Sequence, residues 1–127
     1  MKTKYAFAAV EKGLSLQYFP GENHLEGAFE LPEDFVVFNG HFENNPVMPG
    51  VTYILFAELI ARRALGMEVS IKSLKRTKFF RPAFPGQKLL ISGTLTPEDG
   101  GVYSCVLNFT DDAGQKFCSL KSQVEKL

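Results

Sequence analysis

The sequence has little to offer nucleic acid or an anionic membrane, because 14 basic residues are offset by 14 acidic ones and the pI lies near 6.7. Any charged docking surface must then be a local patch. Cysteine is scarce: Cys105 and Cys118 are the only two, and neither sits in a disulfide framework or at metal-ligand spacing. They are expected to be buried free thiols in strands, which suits a reducing cytoplasm. Long apolar runs are missing as well. The opening MKTKYAFAAVEKG has an apolar run of only six residues before Glu11, too short for a signal-peptide core or a membrane span. Repeats and low-complexity segments are absent, and 127 residues leave no room for a second domain.

What the chain does have is apolar and aromatic mass, 45 % and 13 % of its residues, enough to bury a core in one domain spanning 1–127. Short β-prone runs at 14–19 and 25–31 flank the turn signal PGEN, which predicts a strand pair. His24, beside that turn, has no Cys, acidic or second His neighbour at ligand spacing and is expected to be solvated. Residues 51–65 are apolar nearly all round except Thr52, Glu58, Arg62 and Arg63, the pattern of a helix wrapped by other structure, and Gly66 ends it. Four β-rich stretches follow, at 69–80, 88–96, 102–110 and 115–124. Their separators PAFPGQ, PEDGG and DDAG are short turn formers, so the strands are expected to be antiparallel neighbours. Tyr103, Cys105, Leu107 and Phe109 alternate onto one face. The class is therefore α+β, one long helix inside a curled antiparallel sheet.

Chemistry concentrates in FNGHFENNPVMPGV, residues 38–51. Gly40, Pro46, Pro49 and Gly50 fix an irregular backbone around His41, and Pro49 suits a helix start. A helix N-terminus presents unpaired N–H groups at the positive end of the helix dipole. Glycine there lets a substrate carbonyl approach, which makes the Gly50 N–H a candidate oxyanion donor. An imidazole held nearby by the loop can move a proton near neutral pH.

This segment strongly resembles the active-site motif of the hot-dog-fold β-hydroxyacyl-[acyl-carrier-protein] dehydratases, a GHF loop followed by P-V-M-P-G-V and a long helix. Gly40, His41, Phe42, Pro46, Val47, Met48, Pro49, Gly50 and Val51 match it position for position. KFFRPAFPGQKL, residues 78–89, is similar to the same family's strand ending in K-F-x-R-P with a P-G turn. The first thirty or so residues match only in being short and strand-like. The resemblance implies the hot-dog fold and dehydration of 3-hydroxyacyl thioesters to trans-2-enoyl thioesters without metal or cofactor. It implies His41 as base, Gly50 as oxyanion donor, and Phe42, Pro46, Val47, Met48, Pro49, Val51 and Leu55 along the acyl tunnel. It also implies a dimer, in which the histidine of one protomer faces the helix acid of the other, and an acyl carrier protein as partner.

One departure bears on the chemistry. The family's helix acid lies fourteen positions after the histidine, and here that position is Leu55. Glu58 is the nearest helix carboxylate, on about the same stripe and displaced by about 4.5 Å along the axis. It has two readings: the acid that protonates the leaving hydroxyl, or half of an i, i+4 ion pair with Arg62. Glu43 also replaces a proline common after GHF. Lys72, Lys75, Arg76, Lys78 and Arg81 form a basic stretch, either a solvated strand face or, with Lys78 and Arg81 nearest the tunnel mouth, the docking site for an acidic carrier. Three functions stay open: a dehydratase using Glu58, a thioesterase or isomerase in which His41 acts without a helix acid, and an accessory acyl-binding subunit that pairs with an acid-bearing paralogue.

Overall fold

A computed structural model describes residues 2–35 and 48–127, with side chains from residue 8 onward. The expected helix is there with the expected bounds. Here α2, Val51–Leu65, closes on Gly66 in the left-handed region (φ 64°), whose N–H reaches Arg62 O at 2.8 Å. The strands are β1 Ser15–Phe19, β2 His24–Glu30, β3 Val69–Phe79, β4 Lys88–Pro97, β5 Val102–Thr110 and β6 Lys116–Lys126. They form one antiparallel sheet in the order β1-β2-β4-β5-β6-β3. PGEN makes the β1–β2 connection as a 3₁₀ turn, with Asn23 at φ 53°.

α2 touches both edge strands, β1 and β3, as well as β5 and β6. Six flat strands at ~4.8 Å spacing would hold their edges about 24 Å apart, twice the width of a helix with its side chains. The sheet therefore curls around α2, as the hot-dog arrangement requires. Glycines let the backbone bend and close up: a Cβ on Gly93 would stand 1.8 Å from Val106 O in the neighbouring strand, and one on Gly27 would stand 2.6 Å from Ser15 O.

A run of rings fastens helix to sheet. Phe56 meets Phe29 and Phe109 at centroid distances of 5.2 and 5.7 Å, and Tyr53 meets Phe109 at 4.8 Å. All four are buried, at ~1.5–3 kcal/mol for a fully buried large apolar side chain. Cys105, Leu107 and Phe109 face the core from β5, with Tyr103 partly buried at the end of the row.

The N-terminal segment differs from its strand-like expectation, for Lys2–Gly13 is a helix, α1. Its sequence is rich in strong helix formers, Ala, Lys and Glu, and tertiary contacts hold it. Val10 is buried, and Arg63 of α2 donates to Glu11 O and Leu14 O at 2.6 and 2.5 Å, taking up carbonyls at the end of α1. His24 also departs from expectation: its Nε2 lies 3.2 Å from Glu26 Oε1, on a residue two along the same strand and hence the same face.

β3 is an edge strand whose register shifts twice, at Lys72 and Lys75, and it exposes Leu74 and Phe79. Bulges and lysines on an edge limit indiscriminate strand pairing. Among the described residues, no helix is long and apolar enough to cross a membrane.

Gly93→Ala should destabilise the fold by roughly 3 kcal/mol, the upper end of overpacking costs, because the clash is with backbone. Gly21→Ala, where the added Cβ meets nothing within 4 Å, should change stability by less than about 0.5 kcal/mol. Urea unfolding of both variants measures the difference, and equal effects would remove the close-approach explanation.

Candidate active site

The loop of interest is pinned at both ends. Phe35 is buried against Phe29 with its N–H on Pro32 O, and Met48 is buried with its N–H on Ala83 O at 2.8 Å. Gly40, His41, Phe42, Glu43, Pro46 and Val47 lie outside the described residues.

After Met48 the chain enters α2 through Pro49 and Gly50. Gly50 is helical (φ −57°, ψ −34°), and no side chain caps the helix. Thr52 and Tyr53 N–H close tight bonds to Pro49 O and Gly50 O at 3.0 and 3.1 Å. The N–H groups of Gly50 and Val51 take no partner among the described residues. Among the described residues, then, nothing competes with an anionic oxygen for these two donors at the positive end of the helix dipole.

Gly50 borders a cleft of about 390 Å³ walled by Met48, Gly50 and Tyr53 on one side and Phe79, Phe80, Arg81, Pro82 and Ala83 on the other. The space a side chain at position 50 would need is already used: its Cβ would come within 2.7 Å of the Phe79 ring. Glycine thus admits the Phe79 ring to the helix end, a constraint that reading the sequence assigns to substrate alone.

Arg81 holds the second wall. Its guanidinium stacks 4.2 Å over the Phe117 ring, donates to the Asp111 carboxylate, and reaches Gln115 O and Lys116 O at 3.2 and 3.3 Å. Asp111 Oδ1 in turn accepts the N–H groups of Ala113 and Gln115, both at 2.9 Å. The Gln115 N–H first, and then Arg81, hold the Asp111 carboxyl below the ordinary carboxylate range. Arg81 is therefore committed within the molecule, whereas Lys78 is exposed, with Nζ 5.2 Å from the Phe80 ring.

Along α2, Val51, Leu55, Glu58 and Arg62 are among the residues left at least partly exposed. Spacings of four, three and four place them on one stripe. Leu55 packs on the rim of the core. The Glu58 carboxylate lies 3.0 Å from Arg62 Nη2, and Arg62 also binds Val69 O at 2.9 Å and Glu68 at 3.4 Å. Of the two readings of Glu58, the ion pair is the arrangement present.

Tyr53 is the site residue that sequence reasoning missed, having been grouped with the apolar positions. It is 3 % exposed, it lines the cleft, and its hydroxyl is buried without a hydrogen-bond partner among the described residues. Burial, with a smaller push from Cys118 against a pull from Arg81, raises its pKa above the ordinary tyrosine value. Its spacing of three from Gly50 puts it on the same helix face, and that was the available signal. Cys105 and Cys118 are buried free thiols, as expected, and burial pushes both up to about 12. Neither is a ready nucleophile.

The family model of the ApeI-like dehydratases (ApeI dehydratase) matches residues 17–121. The chain belongs to this dehydratase family. The 3-hydroxyacyl-[acyl-carrier-protein] dehydratase FabZ of Syntrophomonas wolfei is 32 % identical over 106 residues, spanning 78 % of this chain and 72 % of that protein. FabZ of Granulibacter bethesdensis is 36 % identical over 75 residues, and there the chain spans only 44 % of the relative's length. The dehydratase heterocomplex ApeI:P from Xenorhabdus doucetiae has the same fold, with a TM-score of 0.70 at 22 % identity, covering 88 % of this chain and 95 % of that one. The hot-dog fold and the dehydratase family thus both hold.

Because Asp111 has a lowered folded pKa, its contribution to stability is present above the ordinary value of 3.8 and is lost as pH falls through the lower folded value. Asp111→Asn should melt below wild type at pH 7, and the gap should close below pH 3.8. A gap in Tm that stays constant with pH would mean that the charge does not hold this turn.

Proposed function

We propose that the chain dehydrates 3-hydroxyacyl thioesters carried by an acyl carrier protein, giving trans-2-enoyl thioesters for lipid or polyketide-type synthesis. The observation that carries this reading is the start of α2, where the Gly50 N–H takes no partner among the described residues and Gly50 borders a cleft, directly after a GHF…PVMPG motif in a dehydratase-family chain. His41 takes the proton from C2 and the C3–O bond breaks. The electron pair from the C–H bond forms the C2–C3 double bond, and the hydroxyl departs as water after receiving a proton from an acid. The Gly50 N–H stabilises the charge that builds on the thioester oxygen, a contact worth about 3 kcal/mol in comparable sites. The family assignment sets this above the thioesterase and isomerase alternatives.

The acid has two possible sources, the Glu58 of a second copy or an acid-bearing paralogue. The Glu58–Arg62 pair favours the paralogue, since Glu58 would have to leave that partner to act. A dehydratase assembled as a heterocomplex, ApeI:P, supports the same route. The partner would sit over the stripe of Val51, Leu55 and Glu58 and beside the β3 edge, where Val51, Leu74 and Phe79 are exposed.

The test is turnover of a 3-hydroxyacyl-pantetheine thioester by the chain alone and after mixing with paralogous chains. His41→Ala should abolish activity in whichever assembly is active, and wild-type kcat/KM in that variant would end the dehydratase reading. Glu58→Gln should change the rate by less than about twofold in a heteromer. A loss of roughly 10²-fold, the usual worth of a general acid, would return the role to Glu58.

Carrier docking rests on Lys78 in this reading, with Arg81 holding the cleft wall. Lys78→Glu should raise KM for the carrier-bound substrate and leave a small thioester unaffected. Arg81→Glu should impair both, and the opposite pattern would exchange their roles.

A further inference from the structure

Tyr53 poses a problem that the catalytic scheme above leaves unsolved. A hydroxyl buried without a hydrogen-bond partner costs free energy that a phenylalanine in the same space would not. The surrounding rings of Phe79 and Phe109, at 6.0 and 4.8 Å, would accept a phenylalanine equally well. Such a group calls for a use.

Its position suggests one. Tyr53 stands one turn after Gly50, and helical side chains lean back toward the N-terminus, over the preceding turn. Tyr53 therefore lies along the wall that carries Gly50, in the same cleft. Gly50 and Tyr53 thus line one cleft, and among the described residues the backbone donor of the one and the buried hydroxyl of the other are both unfilled. The neighbouring groups do not satisfy it: Cys118 is a buried, protonated thiol, and the Arg81 guanidinium is held by Asp111, Gln115 and Lys116.

We propose that the Tyr53 hydroxyl is a second oxyanion donor, hydrogen-bonding the thioester carbonyl oxygen of the bound acyl group alongside the Gly50 N–H. This rests on the dehydratase reading for its substrate class but not on turnover for its test. Because burial raises its pKa, the hydroxyl stays protonated throughout the working range and serves as a neutral donor. The role also accounts for tyrosine on a helix face that is otherwise apolar.

The experiment compares wild type with Tyr53→Phe on the full chain, using two unreactive probes. One is a saturated acyl-pantetheine thioester, and the other is the matching thioether, which lacks the carbonyl. Wild type should bind the thioester about tenfold tighter than the variant does, the worth of one hydrogen bond, while both proteins bind the thioether equally. The variant should also melt at the same or a higher temperature, since it buries no unpaired hydroxyl. Equal thioester affinity in the two proteins would overturn the proposal. A parallel loss for thioester and thioether would overturn it too, by reducing Tyr53 to packing, and so would a wild type that binds neither probe. If wild type binds as expected yet fails to convert a 3-hydroxyacyl thioester in any assembly, the dehydratase reading falls while the donor role of Tyr53 stands.

Discussion

The structure depends on burying one apolar helix against a sheet too wide for both its edges to reach that helix unless the sheet curls. Phe56 and Tyr53 lock α2 to Phe29 and Phe109, and the glycines at 27 and 93 let neighbouring strands close around that contact. Because α2 reaches both edge strands, loosening the ring contacts would release the sheet edges along with the helix. Arg63 extends the same logic to the N-terminus by holding the end of α1 through two backbone carbonyls.

That packing leaves the helix start as the place where polar groups remain unsatisfied. The body of α2 has its backbone bonds closed, but its first turn borders a cleft, and the Gly50 and Val51 N–H groups take no partner among the described residues. The opposite wall is kept rigid by an arginine clamped between an aromatic ring and a turn-capping carboxylate. A rigid wall facing free donors is what oxyanion stabilisation needs, since donors fixed in advance require no reorganisation during reaction. The unpaired Tyr53 hydroxyl fits the same economy, in which stability is given up locally where a ligand can recover it.

The outer stripe of α2 and the edge of β3 set the limits of a single chain. Val51 and Phe79 are exposed apolar groups near the cleft, and Glu58 is turned to Arg62 within its own helix. On the function proposed above, this exposed apolar surface is where a second subunit would finish the site.

Much of this was legible in the sequence, because periodicity and punctuation act locally. Val51–Leu65 was readable from its apolar pattern and Gly66, and the strand pairs from PGEN, PEDGG and DDAG, since a turn residue with positive φ or a missing N–H constrains its neighbours whatever the fold. The dehydratase motif was legible for the same reason, as a run of prolines and glycines around one histidine. The N-terminal helix was not, because short segments owe their state to what they pack on. Nor could spacing alone decide between the two fates of Glu58, or place Arg81 on Asp111 thirty residues away. Tyr53 looked like one more apolar residue until the fold closed over its hydroxyl. Local chemistry fixed which elements form and where the site begins, whereas burial and long-range pairing, which exist only once the sheet has curled, decided which polar groups are spent and which remain free.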